Sequence, residues 1–339
     1  VLADNTGTSI ISIELATIIA AVFIIAYTML AGLLSVAYTD AANSIIMTLA
    51  LVISLPILWI KAGSWSGMET AFAAMNKSQH MQFGGVYSTM DIINFCLPPF
   101  LLVIGDANMY QRFSASKDVQ SARYSTTILV FAVLFIELLI IASSWVSSSM
   151  IPEAEVGKHV LIYAAHQFLP TFLGAIMLTT IVGIIISTAD SFLLVPANTL
   201  IRDIYLNYIN PQASEKNIVR LSRLLVLLLG IIAYIVSIGF SRSAGFFERA
   251  LYAYTIYGAA ITPALVAALF WRGATKEGAV ASIICGTLVT LFWKELPELW
   301  FWLPTKWYIS LDEVLPAISG SLLALIGVSY LTQKADPGK

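Results

Sequence analysis

Residues 171–194 read TFLGAIMLTTIVGIIISTADSFLL, a long apolar run that ends in hydroxyl groups around one carboxylate. A helix needs roughly 20 apolar residues to cross the hydrocarbon core of a bilayer. The run is continuous rather than alternating, which excludes a strand of a membrane β-barrel. At helical spacing Ser187, Asp190 and Ser191 share one face. The stretch therefore predicts a membrane helix that carries a polar site.

The composition extends this interpretation to the whole chain. Of its 339 residues, 58% are hydrophobic and 11% are charged, against about 25% charged in soluble domains. The net charge of −2 argues against a nucleic-acid partner. No Gly-rich phosphate loop and no paired histidine ligands occur in the sequence, so nothing in it suggests an enzyme. We predict an all-α polytopic protein of the lipid bilayer.

Apolar runs predict nine spans in a single transmembrane domain over residues 1–339. The fifth run is too long for one straight crossing, and residues 61–91 read as an external loop with one short helix. The spans are 12–31, 38–60, 92–109, 124–149, 170–202, 219–240, 248–271, 277–296 and 313–332.

Lysine and arginine set the expected orientation, because cytoplasmic loops carry an excess of both. They are denser after spans 3, 5, 7 and 9 than on the opposite side, which predicts a cytoplasmic C-terminus in the plasma membrane, or the inner membrane of a bacterium. An odd number of spans then puts the N-terminus outside, although no signal peptide is visible. We therefore expect that further helices precede residue 1.

Three carboxylates lie inside predicted spans, where ionisable groups are costly and usually functional. They are Asp40, Glu137 and Asp190. Asp40 is near a span end, so a capping role is an alternative. Glu137 is a candidate for a cavity wall, or is protonated and packed.

Hydroxyl and carboxylate oxygens at 187–191 form a ligand set suited to a small hard cation. The alternative is that the hydroxyls bond back to their own helix or join two helices.

Two further features predict a solute cavity. Pro98-Pro99 removes two amide donors from the third span and either kinks or opens the helix. Open helices at membrane depth line cavities in transporters. Tyr254 and Tyr257 in the seventh span line this site or pack against neighbours.

Four stretches of the chain carry a family resemblance. They are Tyr27–Ser35 followed by Tyr38-Thr39-Asp40; Asn108–Phe113 followed by Ala115-Ser116-Lys117; Ser187–Ser191 with Arg202–Tyr205; and Phe270-Trp271-Arg272 with Gly278-Ala279 and Gly286. In this order they resemble the sodium/solute symporter family, which includes sodium–glucose, sodium–proline, pantothenate and sialic acid carriers. Ala31 stands where the family usually has glycine.

The resemblance implies the inverted-repeat fold of the leucine-transporter type, with a substrate site at the midplane. The first two predicted spans would be core helices four and five, the third core helix six, and the fifth core helix eight. About the first three core helices would then be lacking. The 339-residue chain by itself is expected not to transport.

The resemblance also assigns roles to residues. Ser187 and Thr188 match the hydroxyl pair that binds the main sodium ion, with the carbonyl of Ile184 as a third ligand. Asp40 matches the aspartate of sodium coupling, which in some members joins hydroxyls of core helix eight in a second cation site; Asp190 and Ser191 are candidates for it. Asp190 stands where some relatives have a hydroxyl, so it strengthens cation binding or is protonated and favours proton coupling.

The function that these residues imply is sodium-coupled secondary active symport of a small organic solute by alternating access, with no oligomer required. The alternative is a symporter-like sensory domain of a membrane signalling protein, which a regulatory domain in the full reading frame would favour. A channel suits a coupled ion site less well.

Overall fold

The structure is a computed structural model that describes residues 12–85, 87–152, 159–240, 246–293 and 311–333, and within these ranges all regular structure is helical. A 3₁₀ turn spans Ser78–Met81, and a π-helical segment, Leu200–Ile209, continues α7. The α-helices are α1 Ile13–Lys61, α2 Ser64–Ala74, α3 Thr89–Gly105, α4 Ala107–Ser114, α5 Val119–Ser148, α6 Val160–Gln167, α7 Thr171–Thr199, α8 Glu215–Phe240, α9 Phe246–Phe270, α10 Lys276–Phe292 and α11 Val314–Thr332.

Seven helical segments of the described chain are long and apolar enough to cross a membrane. Helix α10, with 17 residues, and the apolar segment Glu14–Leu30 are shorter. The end of the eighth predicted span, residues 294–296, lies outside the described residues. The seven segments are Ser35–Lys61, Thr89–Ser114, Val119–Ser148, Thr171–Ile209, Glu215–Gly239, Ala250–Phe270 and Val314–Thr332.

The first two predicted spans are joined in the structure. Helix α1 runs without a break through 49 residues, about 74 Å at 1.5 Å per residue. Between residues 31 and 38 the sequence has no proline and a single glycine, so nothing there removes a helical hydrogen bond. The predicted spans 12–31 and 38–60 thus lie in one continuous helix, which contains the separate apolar segments Glu14–Leu30 and Ser35–Lys61. That they cross the membrane as two spans stays a prediction.

The third predicted span is divided, but not at its prolines. Helix α3 stays helical through Pro98 and Pro99 and ends at Gly105. The chain leaves the helix at Asp106, whose Oδ1 accepts a hydrogen bond from the amide of Asn108 at 3.0 Å. Such a local bond competes with the helix and explains why the break falls here.

One compact unit comprises the described residues of 1–83 and 111–239. Its main core lies where α1 packs against α5 and α7, with α2 and α6 closing one end. The most buried large side chains of this core include Leu58, Met68, Phe72, Val146 and Met177. Helix α2 confirms the short helix expected after residue 61.

The other unit comprises the described residues of 84–110 and 240–339. Here α9 packs against α3, α10 and α11, and small residues allow close approach. A Cβ added to Gly286 would lie 2.8 Å from the carbonyl oxygen of Ala259, and one added to Gly258 would lie 2.7 Å from Cβ of Leu101. Small residues at helix contacts are typical of membrane bundles, where backbone proximity replaces the hydrophobic effect.

Helix α5 illustrates the apolar surface of the protein. Ile128, Phe131, Leu134 and Leu138 are all exposed along it. An apolar face of this extent is unfavourable in water and typical of a helix in contact with lipid or with other membrane helices.

Candidate functional site

The crossing of α1 and α7 brings together most of the polar residues singled out in the first unit. The helices approach closely at Gly183, where an added Cβ would lie 3.1 Å from Cγ of Asn43. The side-chain amide of Asn43 donates to the carbonyl of Gly183 at 3.5 Å. Because Gly183 is one turn before Ser187, this contact places the polar segment of α7 beside α1.

The predicted hydroxyl pair has spare hydrogen-bonding capacity. Several hydroxyls of the chain bond back to their own helix, such as Thr179 to the carbonyl of Ala175 at 2.8 Å. The side-chain hydroxyls of Ser187 and Thr188 make no hydrogen bond within the part of the chain that the structure describes. Ser187 and Ile184 are half-buried, and Thr188 is exposed. The structure therefore does not show the alternative in which these hydroxyls donate hydrogen bonds to carbonyls of their own helix.

Asp40 of α1 is paired with an arginine. Nη2 of Arg112, near the end of α4, lies 2.9 Å from Oδ2 of Asp40 and 3.2 Å from Oγ of Ser191. The guanidinium thus connects α4, α1 and α7 at one point. A contact between Asp40 and Ser191 was expected from the resemblance, whereas Arg112 was singled out only as part of a motif and as a cytoplasmic charge.

The second oxygen of Asp40 is free to contact a cation. Oδ1 of Asp40 is buried and has no hydrogen-bond partner among the described residues. A buried carboxylate oxygen without a donor is costly unless something satisfies it. Together with the hydroxyl of Ser191, it forms a set of oxygen donors of the kind that hard cations bind.

The other carboxylate of α7 has a different partner. Asp190 is 1% exposed and accepts a hydrogen bond from the hydroxyl of Thr28, which is equally buried, in the first half of α1. Thr28 also borders a cavity of about 170 Å³ that Arg223 of α8 helps to line. The structure therefore places Asp190 with Thr28 rather than with Asp40 and Ser191. Thr28 was missed by the sequence analysis, although it lies within the first of the four motif stretches.

Glu137 lies on the exposed surface of α5. Its neighbours Phe135 and Leu138 are exposed apolar side chains, and no described residue forms an ion pair with it. In the structure Glu137 thus faces outward from the first unit, where lipid or further protein would contact it. Its role at a cavity wall stays a prediction.

The remaining candidates belong to the second unit. Pro98 is buried and Pro99 half-buried on α3, and Tyr254 is half-buried on α9. The hydroxyl of Tyr257 accepts a hydrogen bond from the amide of Ala107 at 3.1 Å, which satisfies a free donor at the start of α4. This contact gives Tyr257 a structural role at the break that follows α3.

Asn94 is a polar residue of α3 that the sequence analysis did not single out. It is 8% exposed, its Oδ1 has no partner among the described residues, and it lies one turn before Pro98. Because a proline donates no hydrogen bond to the carbonyl four residues earlier, the backbone carbonyl of Asn94 also loses its usual partner. The spacing of Asn94 and Pro98 was the signal available in the sequence.

Comparison with known proteins connects this geometry to a family. The model of the Sodium:solute symporter family matches residues 7–286. The sodium/proline symporter of Haemophilus influenzae is 27% identical over 346 residues, covering 97% of this chain and 66% of its own length. A high-affinity proline transporter of Bacillus subtilis is 27% identical over 329 residues, covering 91% of this chain and 64% of its own length. This chain thus spans a little under two thirds of the length of these relatives.

A solved structure shares the fold. A Na⁺-coupled sialic acid symporter in a substrate-bound outward-open state superposes with a TM-score of 0.69 at 16% identity, covering 95% of this chain and 67% of that one. The predicted all-α membrane fold of the leucine-transporter type is confirmed. The relatives are transporters, which points away from an enzyme. The protein belongs to the sodium:solute symporter family.

Proposed function

We propose that the complete protein is a sodium-coupled symporter that moves a small organic solute across the plasma membrane by alternating access. The observation that carries this proposal is the pair of hydroxyls, Ser187 and Thr188, without hydrogen bonds on α7 beside α1. Family membership supports the coupling ion, because the matching relatives include sodium/proline symporters.

Sodium would bind to the hydroxyls of Ser187 and Thr188 and to the carbonyl of Ile184. A hard monovalent cation prefers neutral and anionic oxygens, and both hydroxyls have lone pairs to offer. Each charge that moves down a potential of 100 mV supplies about 2.3 kcal/mol for uphill movement of the solute. Sodium bound at α7 would stabilise the outward-facing state and be released on the other side.

An amino acid such as proline is the first solute to test. Relatives of this chain include proline transporters of Haemophilus influenzae and Bacillus subtilis. Tyr254, Tyr257 and the Pro98-Pro99 pair are the residues of the second unit proposed to line the solute cavity.

The decisive experiment is sodium-dependent uptake by the complete protein in proteoliposomes, with a panel that starts with proline. The double variant S187A/T188A should raise the sodium concentration for half-maximal uptake by about tenfold or more, equivalent to a loss of at least about 1.4 kcal/mol of binding. The control is T179A, since Thr179 is on the same helix but bonds to its own backbone.

Unchanged sodium dependence in S187A/T188A would contradict the proposed sodium site. Binding of a solute without its accumulation in the vesicles would contradict transport and favour the sensory alternative.

Proton coupling is a second candidate because of Asp190. This carboxyl is buried, and its hydrogen-bond partner among the described residues is the neutral hydroxyl of Thr28. A carboxyl in such surroundings is suited to carrying a proton. Uptake driven by an imposed pH gradient in sodium-free buffer, present in the wild type and lost in D190N, would support it. No uptake without sodium would exclude it.

A further inference from the structure

Arg112 binds the same oxygens that sequence analysis expected to hold a second cation. Its Nη2 is 2.9 Å from Oδ2 of Asp40 and 3.2 Å from Oγ of Ser191. We propose that Arg112 is a tethered cation that occupies the Asp40–Ser191 site, so that a free monovalent cation binds there only after the guanidinium has left. This inference rests on the proposed function, since it names how the second cation site is controlled.

Competition follows from charge and space. A guanidinium nitrogen at hydrogen-bond distance from a carboxylate oxygen occupies the position that a bound cation would take, and it carries the same charge. Two like charges at one partly buried carboxylate repel each other strongly, because screening by water is weak there. The docked arginine and the bound cation therefore exclude each other.

The Arg112 side chain can leave this site without movement of its helix. The side chain of Arg112 is 43% exposed, whereas that of Asp40 is 14% exposed. Rotation about the bonds of this long side chain takes the guanidinium into solvent and costs mainly its two hydrogen bonds.

Asp40 retains capacity for a cation while the arginine is docked. Its Oδ1 is buried and unpartnered within the described part of the chain, so only one carboxylate oxygen is in use. Arginine can contact both oxygens of a carboxylate in a bidentate pair, but here it contacts only Oδ2. The single contact fits a pair that opens and closes.

The role of Arg112 is thus to neutralise Asp40 when no cation is bound. Without it, an empty site would leave a partly buried carboxylate unpaired, which is unfavourable. Docking of Arg112 after cation release would hold the empty carrier in one state and oppose rebinding. Arg112 is a positioning residue in this scheme and contacts neither the solute nor the main sodium ligands.

The test measures sodium binding to the purified complete protein through its thermal stability. Unfolding temperatures are compared in NaCl and in choline chloride. The variant R112Q keeps hydrogen-bond donors but removes the charge. It should lower the sodium concentration for half-maximal stabilisation by about tenfold, a change worth about 1.4 kcal/mol. R112K keeps the charge but donates from a single ammonium, so its value should lie between those of R112Q and the wild type.

Two controls assign the effect to the site. R123Q removes an equal charge from an exposed arginine of the same predicted cytoplasmic face and should behave as the wild type. In the D40N background, R112Q should produce no gain in sodium binding, because the oxygen for which both cations compete is gone.

The outcomes separate this inference from the proposed function. Sodium stabilisation of the wild type that R112Q leaves unchanged or weakens would overturn the role of Arg112 alone, as would an equal gain in the D40N background. If sodium does not stabilise the wild type but does stabilise R112Q, the tethered-cation proposal is supported. Its absence from both would overturn this inference and the sodium-coupled function together.

Discussion

Two helix contacts of this protein use polar residues in opposite ways. At the contact of α10 with α11, the hydroxyls of Ser282 and Ser321 bond to each other at 2.8 Å, and that of Thr290 bonds to the carbonyl of Gly286 at 2.8 Å. At the contact of α1 with α7, the hydroxyl of Ser187 has no partner among the described residues, and Oδ1 of Asp40 is buried without one.

This difference indicates that the contact of α10 with α11 is structural, whereas the contact of α1 with α7 is the candidate site. A satisfied hydroxyl between two closely packed helices stabilises one arrangement and has nothing left to offer a ligand. A polar group with free lone pairs beside a second helix costs stability until something binds. We therefore interpret α9, α10 and α11 as a rigid bundle, and the polar face of α7 remains the proposed place of ion binding.

The largest effect is expected from a substitution that pushes the scaffold helices apart. G286L should abolish most folded protein, because the new Cβ would lie 2.8 Å from the backbone oxygen of Ala259, which cannot move without its helix. Size-exclusion profiles of the complete protein as a fluorescent fusion measure the folded fraction. G327L is the matched control, since a Cβ at Gly327 meets no atom within 4 Å. Equal loss in both variants would show that close packing is not the cause.

The next largest effect concerns the charge of Asp40 at the proposed second cation site. D40N should raise the sodium concentration for half-maximal uptake by about tenfold or more, since an amide oxygen replaces an anionic ligand. Uptake across a sodium series measures it. D118N is the control: Asp118 caps α5 by accepting a hydrogen bond from the amide of Ser121 at 2.7 Å, and asparagine caps a helix equally well. A D40N protein with wild-type sodium dependence would remove Asp40 from the site.

The hydrogen bond between Thr28 and Asp190 tests whether polar groups of α7 contribute to stability as well. T28V should lower the free energy of unfolding by about 1–3 kcal/mol, because it leaves a buried carboxyl without its donor. T28S keeps the hydroxyl and should stay near the wild type. Thermal unfolding followed by tryptophan fluorescence compares them. If T28V melts with the wild type, this bond does not hold α1 against α7.

The smallest expected effect concerns the hydrogen bond between Ser282 and Ser321 in the scaffold. S282A should cost about 0.6 kcal/mol, the average for a hydrogen bond between membrane helices. The double variant S282A/S321A should cost no more than the single one, since it leaves no hydroxyl unpaired. The same unfolding assay measures both. A cost above about 2 kcal/mol would exceed what one interhelical bond supplies and would indicate a further role for the pair.

Much of the candidate site could be predicted from local sequence. The spacing of Ser187, Asp190 and Ser191 is a property of one helix, so their shared turn followed from the period alone. The pairing of Asp190 with Thr28 could not be predicted, because it joins residues that are 162 positions apart. Arg112 was visible as a motif residue, but its contact with Asp40 depends on where α4 lies after the break at Asp106.

The limits of the helices also depend on tertiary contacts. Pro98-Pro99 predicted a helix that is either kinked or opened, and α3 continues through both residues and ends at Gly105, so it is not opened at the prolines. The apolar runs at 12–31 and 38–60 were read as two spans, while the structure has one helix. Local rules state which backbone bonds are lost, and tertiary contacts decide whether the helix survives the loss.

By itself the sequence determined that this is a helical membrane protein, which face of α7 carries hydroxyl and carboxylate side chains, and the family to which the chain belongs. The first two depend on composition and on a period of 3.6 residues, both of which are local, whereas the family followed from the resemblance of four motif stretches. The tertiary structure decided which polar groups are satisfied: Ser282 by Ser321, Asp190 by Thr28, and Asp40 by Arg112 on one oxygen only. A hydrogen bond between helices requires both to be placed within about 3 Å of each other, and only packing of the whole chain sets that distance.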